Sequence, residues 1–298
     1  MNTKIGIVGV GWVGSTITRY FEEIKGYKRG VDLFLSDADD KRGYKDDIGK
    51  ADVVFVAVPT PRNTQDGSCD TSIVNAAVAS IPGSKVVVIK STVVPGTTAG
   101  LQKQYPQHKL LFNPEFLTES RAWEDMMRPD RQIVGYTDAS LDAAHLVLSL
   151  LPKAPFMSPW GSGTYRQIRI TATEAEFIKY ASNVYFARKI SWANALAQLA
   201  EKTGADYENI RNGMAADHRI GDSHLDVYHG GYRGFGGYCL PKDTNAFMMF
   251  AKQVDCEAAF NLLKADWDFN EKLLADQNLT VDDVSKHIAP KSVADSNK

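Results

Sequence analysis

Nowhere in this chain does an apolar run reach the roughly 18 residues that crossing a bilayer requires, so no membrane segment is expected. Cysteine is scarce. Cys69, Cys239 and Cys256 are widely spaced with no Cys-x-x-Cys pair, which argues against a disulfide framework or a cysteine zinc site and reads as reduced, cytosolic thiols. Excess charge is missing too: a formal net charge of −2 gives no electrostatic reason to expect nucleic acid as a partner. Internal repeats and extended low-complexity segments are absent. Met1-Asn2-Thr3-Lys4 leads straight into a strand pattern without the apolar stretch of a signal peptide, so the expected location is the cytoplasm. What is present is ordinary for a soluble enzyme. The chain has 298 residues, 23% of them charged, enough to bury a sizeable core and form two domains.

Residues 4–10 mix β-branched residues with glycine and meet the loop Gly9-Val10-Gly11-Trp12-Val13-Gly14. Val13, Ile17, Tyr20, Phe21 and Ile24 follow at helical spacing. A second strand pattern, residues 31–35, closes on Ser36-Asp37. Apolar runs at 53–58, 86–89, 110–112 and 132–134 are bounded by turn residues such as Pro59, Pro82, Gly96 and Pro114. Continuous rather than alternating apolar strands are what a parallel sheet covered on both faces requires. Residues 1–160 are therefore predicted to form a doubly wound, Rossmann-type α/β domain.

The character then changes. Residues 170–203 contain no proline or glycine and predict one long helix ended by Gly204. That helix is the spine of a predicted all-α central domain over 161–276. Its aromatics Tyr180, Tyr185, Phe186 and Trp192 read as packing residues. More helix is expected from Pro241 to about Asp276, and 277–298 reads as a polar, frayed tail.

Gly9-x-Gly11-x-x-Gly14 sits between a strand and a helix, the context that gives the motif physical meaning. The first glycine permits the tight turn, the second lets a pyrophosphate approach the backbone, and the third allows close helix–strand packing. Asp37 closes the second strand where an acid binds the ribose hydroxyls of NAD. Arg42 lies nearby and could accept a 2′-phosphate, but an acid at the strand end favours NAD over NADP.

The string Gly234-Phe235-Gly236-Gly237-Tyr238-Cys239-Leu240-Pro241-Lys242-Asp243 is the most informative. Pro241 suits the first position of a helix and would set Cys239 just outside that helix's N-terminus. The partial positive charge there, with Lys242, favours a thiolate. His218, His224 and His229 lie in a glycine-rich stretch without carboxylate or cysteine at ligand spacing, and no metal is expected.

Several blocks, in order, carry a resemblance: Val58-Pro59-Thr60-Pro61, Lys90-Ser91-Thr92-Val93-Val94-Pro95-Gly96-Thr97, Asn113-Pro114-Glu115-Phe116-Leu117-x-Glu119, residues 174–183, Asp217-His218-Arg219-Ile220-Gly221, and the cysteine string. Together they resemble the UDP-glucose/GDP-mannose dehydrogenase family over nearly the whole chain. The resemblance implies oxidation of a nucleotide-sugar C6 alcohol to the acid, UDP-glucose first among candidates. Two NAD molecules are reduced and a cysteine carries the thiohemiacetal and thioester. It implies Cys239 as nucleophile and Lys179 with Asn183 as oxyanion stabilisers, one helical turn apart. Alone, Lys179 would read as a solvated helix charge paired with Glu176. Glu115 and Thr92 are implied to hold and activate water, with Asp243 completing the network; Glu115 suits a general base if burial lifts its pKa. Implied cofactor contacts are Gly9, Gly11, Trp12, Val13, Gly14, Asp37, Arg42, Val58, Thr60, Ser91, Thr92, Glu119 and Lys242. Phe116, Leu117, Lys179, Asn183, Phe235 and Gly236 are implied at the substrate, and Arg219 as reaching it from the second subunit of a homodimer built through the long helix.

The family also carries a C-terminal domain that grips the nucleotide, and the resemblance ends before it. That leaves open a chain cut at a domain boundary, completion by a separate polypeptide, or a different sugar. Two other readings stay in view. One is a dimeric NAD-binding protein with little turnover; the other is a hydroxy-acid dehydrogenase making one hydride transfer with Lys179 as base. Cys239 with Thr92 and Glu115 argues against the last, since a single hydride transfer needs no nucleophile.

Overall fold

Four-residue runs of valine, isoleucine, leucine and phenylalanine set the architecture. In the computed structural model, which describes residues 3–63, 65–159 and 169–285, they become the central strands of a sheet. The chain divides into two units: Met1–Pro61 with Asp70–Lys179, and Arg62–Cys69 with Tyr180–Lys298.

The first unit runs β1 (Ile5–Val8), α1 (Trp12–Arg19), β2 (Leu33–Ser36), β3 (Val53–Val56), α2 (Ser72–Ala79), β4 (Val86–Ile89), α3 (Thr97–Gln104) and β5 (Lys109–Phe112). It continues through α4 (Ala122–Met127), β6 (Arg131–Ile133), β7 (Gly135–Tyr136), α5 (Leu141–Leu150), β8 (Phe156–Ser158) and the opening turns of α6 (Ala172–Thr203). The sheet order is β2-β1-β3-β4-β5-β7. The first five strands are parallel and β7 is antiparallel to β5. The fold is thus a Rossmann-like α/β sheet with a mixed edge. The expected strand at 132–134 leaves this sheet: among the described residues β6 pairs with β8 alone.

Successive strand residues feed opposite faces, as a period of two demands. Ile5, Ile7, Leu33, Leu35, Val53 and Phe55 pack with Ile17, Phe21, Ala144 and Val147. Val54, Val56, Val87, Ile89, Leu110 and Phe112 pack with Val74, Val78, Leu101 and Ala175. Each such valine, leucine, isoleucine or phenylalanine stabilises the unit by about 1.5–3 kcal/mol. The expected helical run after the glycine loop holds to Phe21. Past Arg19 the chain winds as a π-helical turn, Tyr20–Ile24, which keeps Tyr20 and Phe21 buried but leaves Ile24 exposed.

The second unit contains the rest of α6, then α7 (Tyr207–Ala215), β9 (Tyr228–His229), β10 (Tyr232–Arg233), α8 (Cys239–Gln253), α9 (Glu257–Ala275) and α10 (Val281–Val284). Val184, Ile190, Phe235, Met248, Leu263, Trp267 and Leu274 form its core. Gly204, at φ +73°, follows the long helix as expected. The predicted helical stretch after Pro241 is two helices, broken where Asp255 takes φ +55°.

Three features differ from the sequence expectation. The units divide inside α6, not at residue 160, because its first turns belong to the sheet: a Cβ on Gly135 would stand 2.7 Å from both the Ala175 Cβ and the Thr171 carbonyl oxygen. Part of the expected frayed tail is ordered. Thr280 and Asp283 form a capping box, and Val281 and Val284 bury against the second unit's core; residues 286–298 lie outside the described residues. Tyr185 and Trp192 are exposed rather than packed, while Tyr180 is fully buried. Among the described residues no helix is long and apolar enough to cross a membrane.

Candidate active site

The sheet order reverses between β1 and β3, which leave β2 on one side and β4 on the other. A parallel sheet opens a ligand crevice at such a point, beyond the carboxyl ends of its strands. The glycine loop lies there. Gly9 has φ +87°, and a Cβ on it would stand 2.6 Å from the Ala57 carbonyl oxygen. A Cβ on Gly14 would collide with the Gly9 carbonyl oxygen. Gly11 is different: among the described residues nothing lies within 4 Å of its Cβ position, and no side chain caps the start of α1.

Asp37 ties the loop to the end of β2. Its Oδ2 accepts from the Val10 N–H at 2.7 Å and its Oδ1 from the Asp39 N–H at 2.8 Å. Arg42 lies against this turn, donating from Nη1 to the Val10 carbonyl at 2.5 Å, with Asp37 at 3.9 Å and Asp39 at 3.5 Å. Across the switch point the Ser91 hydroxyl donates to the Val58 carbonyl at 2.7 Å, and Thr60 is buried. An open glycine at an uncapped helix start, beside a carboxylate that retains free lone pairs, fits a dinucleotide. Trp12 is exposed and Val13 packs on the first core. Glu119 opens a short 3₁₀ turn, Glu119–Arg121.

A buried charge cluster follows β4 and β5. The Lys179 ammonium donates to Glu115 Oε1 at 2.8 Å and to the Glu115 carbonyl at 2.7 Å, while Glu115 Oε2 accepts from the Leu117 N–H at 2.9 Å. Lys179 therefore pairs with Glu115, not with Glu176. Burial pushes the Glu115 carboxyl up, but Lys179, the Leu117 N–H and Lys90 outweigh it and hold Glu115 below the usual range. The expected lift by burial is not realised in this pairing. Phe116 presents its ring to the Arg131 guanidinium, 3.8 Å from the centroid, with the Lys179 ammonium at 5.8 Å. Thr92 is half-buried beside Ser91.

Glu176 does something the sequence did not reveal. Fully buried, it accepts from the Gly96 N–H at 2.6 Å, the Thr98 N–H at 2.8 Å and the Thr98 hydroxyl at 2.6 Å, and so caps α3 from another helix. Burial raises its pKa to about 7 against the pull of those donors.

In the second unit Cys239 is exposed at the first position of α8. Expectation had set it just outside that helix, with Pro241 first; the helix begins two residues earlier. Asp243 is 1% exposed and accepts from Asn183 Nδ2 at 2.6 Å and from the Lys242 ammonium at 2.5 Å. Burial disfavours charge on Lys242, but Asp243, Cys69 and Cys239 prevail and raise its proton affinity. Cys69, expected to be an ordinary thiol, thus lies within electrostatic reach of Lys242; a residue so distant in sequence gave no signal.

The glycine approach to Cys239 is held from behind. Asn270 accepts from the Phe235 N–H at 2.7 Å and donates to the Phe235 carbonyl at 3.1 Å. The Phe235 ring is wholly buried near Trp267, and a Cβ on Gly236 would collide with the Tyr232 hydroxyl. The Phe235 ring thus anchors this turn in the core, and Gly236 offers a ligand its backbone alone. Arg219 is 79% exposed and bridges Asp217 at 2.5 Å. Arg211 anchors the following loop through Asp222 and Asp226, and His224 stacks on Phe186 with ring centroids 4.2 Å apart.

The UDP-glucose/GDP-mannose dehydrogenase family matches in two parts: its NAD binding domain over residues 39–148 and its central domain over 173–272. The UDP-glucose 6-dehydrogenase TuaD of Bacillus subtilis is 33% identical, aligning with 93% of this chain and 66% of its own length. The UDP-glucose 6-dehydrogenase AglM of Haloferax volcanii is 32% identical over 90% of this chain and 69% of its own. Among solved structures, a UDP-glucose dehydrogenase from Pyrobaculum islandicum superposes with a TM-score of 0.71 at 30% identity, covering 93% of this chain and 72% of that one. The chain spans about two thirds of the length of these curated relatives.

Proposed function

This chain belongs to the UDP-glucose/GDP-mannose dehydrogenase family, and on that basis we propose that it is an NAD-dependent dehydrogenase. Its substrate is a nucleotide sugar, UDP-glucose first, whose C6 alcohol is oxidised to the carboxylate. The carrying observation is the exposed thiol of Cys239 at the first position of α8, with the buried Lys242 cation one turn on. A helix N-terminus and a fixed cation favour the thiolate.

NAD, when bound, supplies the hydride acceptor for each oxidation. The Gly11 backbone and Asp37 hold the dinucleotide at its pyrophosphate and ribose. Cys239 adds to the aldehyde carbon, giving a thiohemiacetal whose second oxidation leaves a thioester. Lys179 and Asn183 donate to the oxygen that gains charge at that carbon. Glu115, kept ionised, and Thr92 hold the water that opens the thioester. As Lys179 shifts its bond from Glu115 to the substrate oxygen, the carboxylate recovers the basicity that the ion pair suppresses. Asp243 fixes Asn183 and Lys242 in orientation.

Tyr185, Trp192 and Leu199 recur every seven residues along α6 and all are exposed, which supports a homodimer through that helix. Arg219 would then serve the neighbouring subunit. The small number and wide spacing of the cysteines support a cytoplasmic location.

Counting NADH per sugar consumed tests the reading. Two per UDP-glucose is expected, and Cys239→Ser should stop acid formation. One NADH per small hydroxy acid would replace the proposal with single-step chemistry. NAD binding without reduction would replace it with a binding protein.

A further inference from the structure

Lys90 has no part in the roles assigned above, yet it is one of the most confined charges in the first unit. It directly follows β4 and is 6% exposed. Its ammonium donates to Asn113 Oδ1 at 2.7 Å, and among the described residues no carboxylate oxygen lies within 4.0 Å of it. Asn113 in turn is pinned, donating from Nδ2 to Gln132 Oε1 at 2.9 Å and to the Ile133 carbonyl at 2.6 Å. Lys90 is thereby tied to a rigid acceptor and held back from Glu115. An ammonium buried without a counter-ion costs several kcal/mol, and a fold retains one where its charge acts on something nearby.

Two charges reach it: Glu115, which favours its proton, and Lys179, which opposes it. Among the described residues, three buried groups that act on one another, two cations and one carboxylate, therefore meet beyond β4 and β5. We propose that Lys90 is a positioning residue that keeps this cluster one positive charge in excess, so that Glu115 stays ionised when Lys179 turns toward an anionic intermediate. The inference rests on the dehydrogenase reading, because the anion is the alkoxide of the cysteine-bound hemiacetal.

The charge count carries the argument. With Lys90, the cluster holds two positive charges against one negative, and an alkoxide brings it to neutrality. Without Lys90 the same step leaves a net negative charge in a buried site, and Glu115 would take up a proton and cease to act as a base. Charge placed in advance and anchored to a fixed acceptor needs no reorganisation at the moment of reaction. Burial lowers the Lys90 pKa to about 8, with Glu115 resisting that fall. The surplus is then present at neutral pH and lost as pH rises through about 8.

The test uses the full chain with K90Q, which can still hydrogen-bond Asn113, and K90R, which keeps the charge. Isotope-edited infrared titration of glutamate carboxylates, with E115Q identifying the Glu115 band, reads the cluster without turnover. Glu115 in K90Q should bind its proton about tenfold more tightly, and K90R should titrate as wild type. An unchanged Glu115 titration in K90Q overturns the inference, as does a K90R protein whose Glu115 titrates as it does in K90Q; K90R, always charged, should lose the alkaline limb below while keeping the wild-type kcat. In the pH profile with UDP-glucose and NAD, wild-type kcat should fall as pH rises through about 8. K90Q should lack that limb, with kcat lowered about tenfold and the sugar KM little changed. Persistence of the limb in K90Q also overturns it. If wild-type protein oxidises no nucleotide sugar, the dehydrogenase reading fails while the titration still decides the role of Lys90.

Discussion

Replacing Lys179 with methionine isolates the buried ion pair. The side chains of Lys179 and Glu115 are 5% and 9% exposed, and their bond is 2.8 Å long. Removing one partner of a buried pair costs about 3–5 kcal/mol, because the other charge is left without compensation. Lys90 remains to offset part of that, so a loss of about 3 kcal/mol at pH 7 is expected. The pH dependence carries the sharper information. In the wild type Glu115 is held below its unfolded pKa. Its contribution is therefore present above pH 4.5 and lost as pH falls through the lower folded value. In K179M burial dominates and the folded pKa moves above the unfolded one, so the variant regains stability on acidification. Urea denaturation of both proteins between pH 5 and 8 should show a deficit that is widest at pH 8 and narrows toward pH 5. Adding E115Q to K179M should restore stability, since no lone carboxylate is left. A deficit that does not vary with pH, or a double variant less stable than K179M, would refute the reasoning.

Gly11→Ala should fold with unchanged melting temperature, its backbone being extended and its Cβ position open, while NAD affinity measured by calorimetry drops about tenfold or more, the 1.4 kcal/mol of one obstructed contact. Glu176, with its folded pKa raised from 4.5 to about 7, contributes stability fully below pH 4.5 and loses it as pH rises through 7. The advantage of wild type over Glu176→Gln should shrink by about 3 kcal/mol between pH 5 and 8 in denaturant titrations. Trp192→Asp should convert a dimer to a monomer in light scattering at micromolar protein; an unchanged mass would remove α6 as the interface.

How much of this was legible in advance follows from the range of each interaction. The glycine loop, Asp37 and the apolar strands are short-range patterns, and all but the run at 132–134, which pairs outside the main sheet, lie where periodicity and turn chemistry put them. The long helix was readable because nothing between 170 and 203 breaks it. What escaped depends on partners far apart in sequence. The Lys179–Glu115 pair and the capping of α3 by Glu176 need two elements packed together before either exists, and i, i+3 spacing suggested a different partner for Lys179. Lys90 stood inside a motif whose other members drew the attention. Phe235 is expected at the substrate from its glycine neighbours; that its ring also anchors the turn in the core depends on Trp267 and Asn270, more than thirty residues away. The short α10 was hidden by its polar surroundings, yet its Thr-x-x-Asp start is a capping pattern.

Neither Gly9 nor Gly14 has room for a side chain, since one would strike the Ala57 carbonyl and the other the carbonyl of Gly9 itself. A library that randomises one at a time will therefore recover only the parental residue at either place, whatever activity is selected. Mutational drift along this segment is confined to the positions between them. Gly11 alone can be released by changing the demand placed on the protein, so its retention under selection reports whether dinucleotide use is still required.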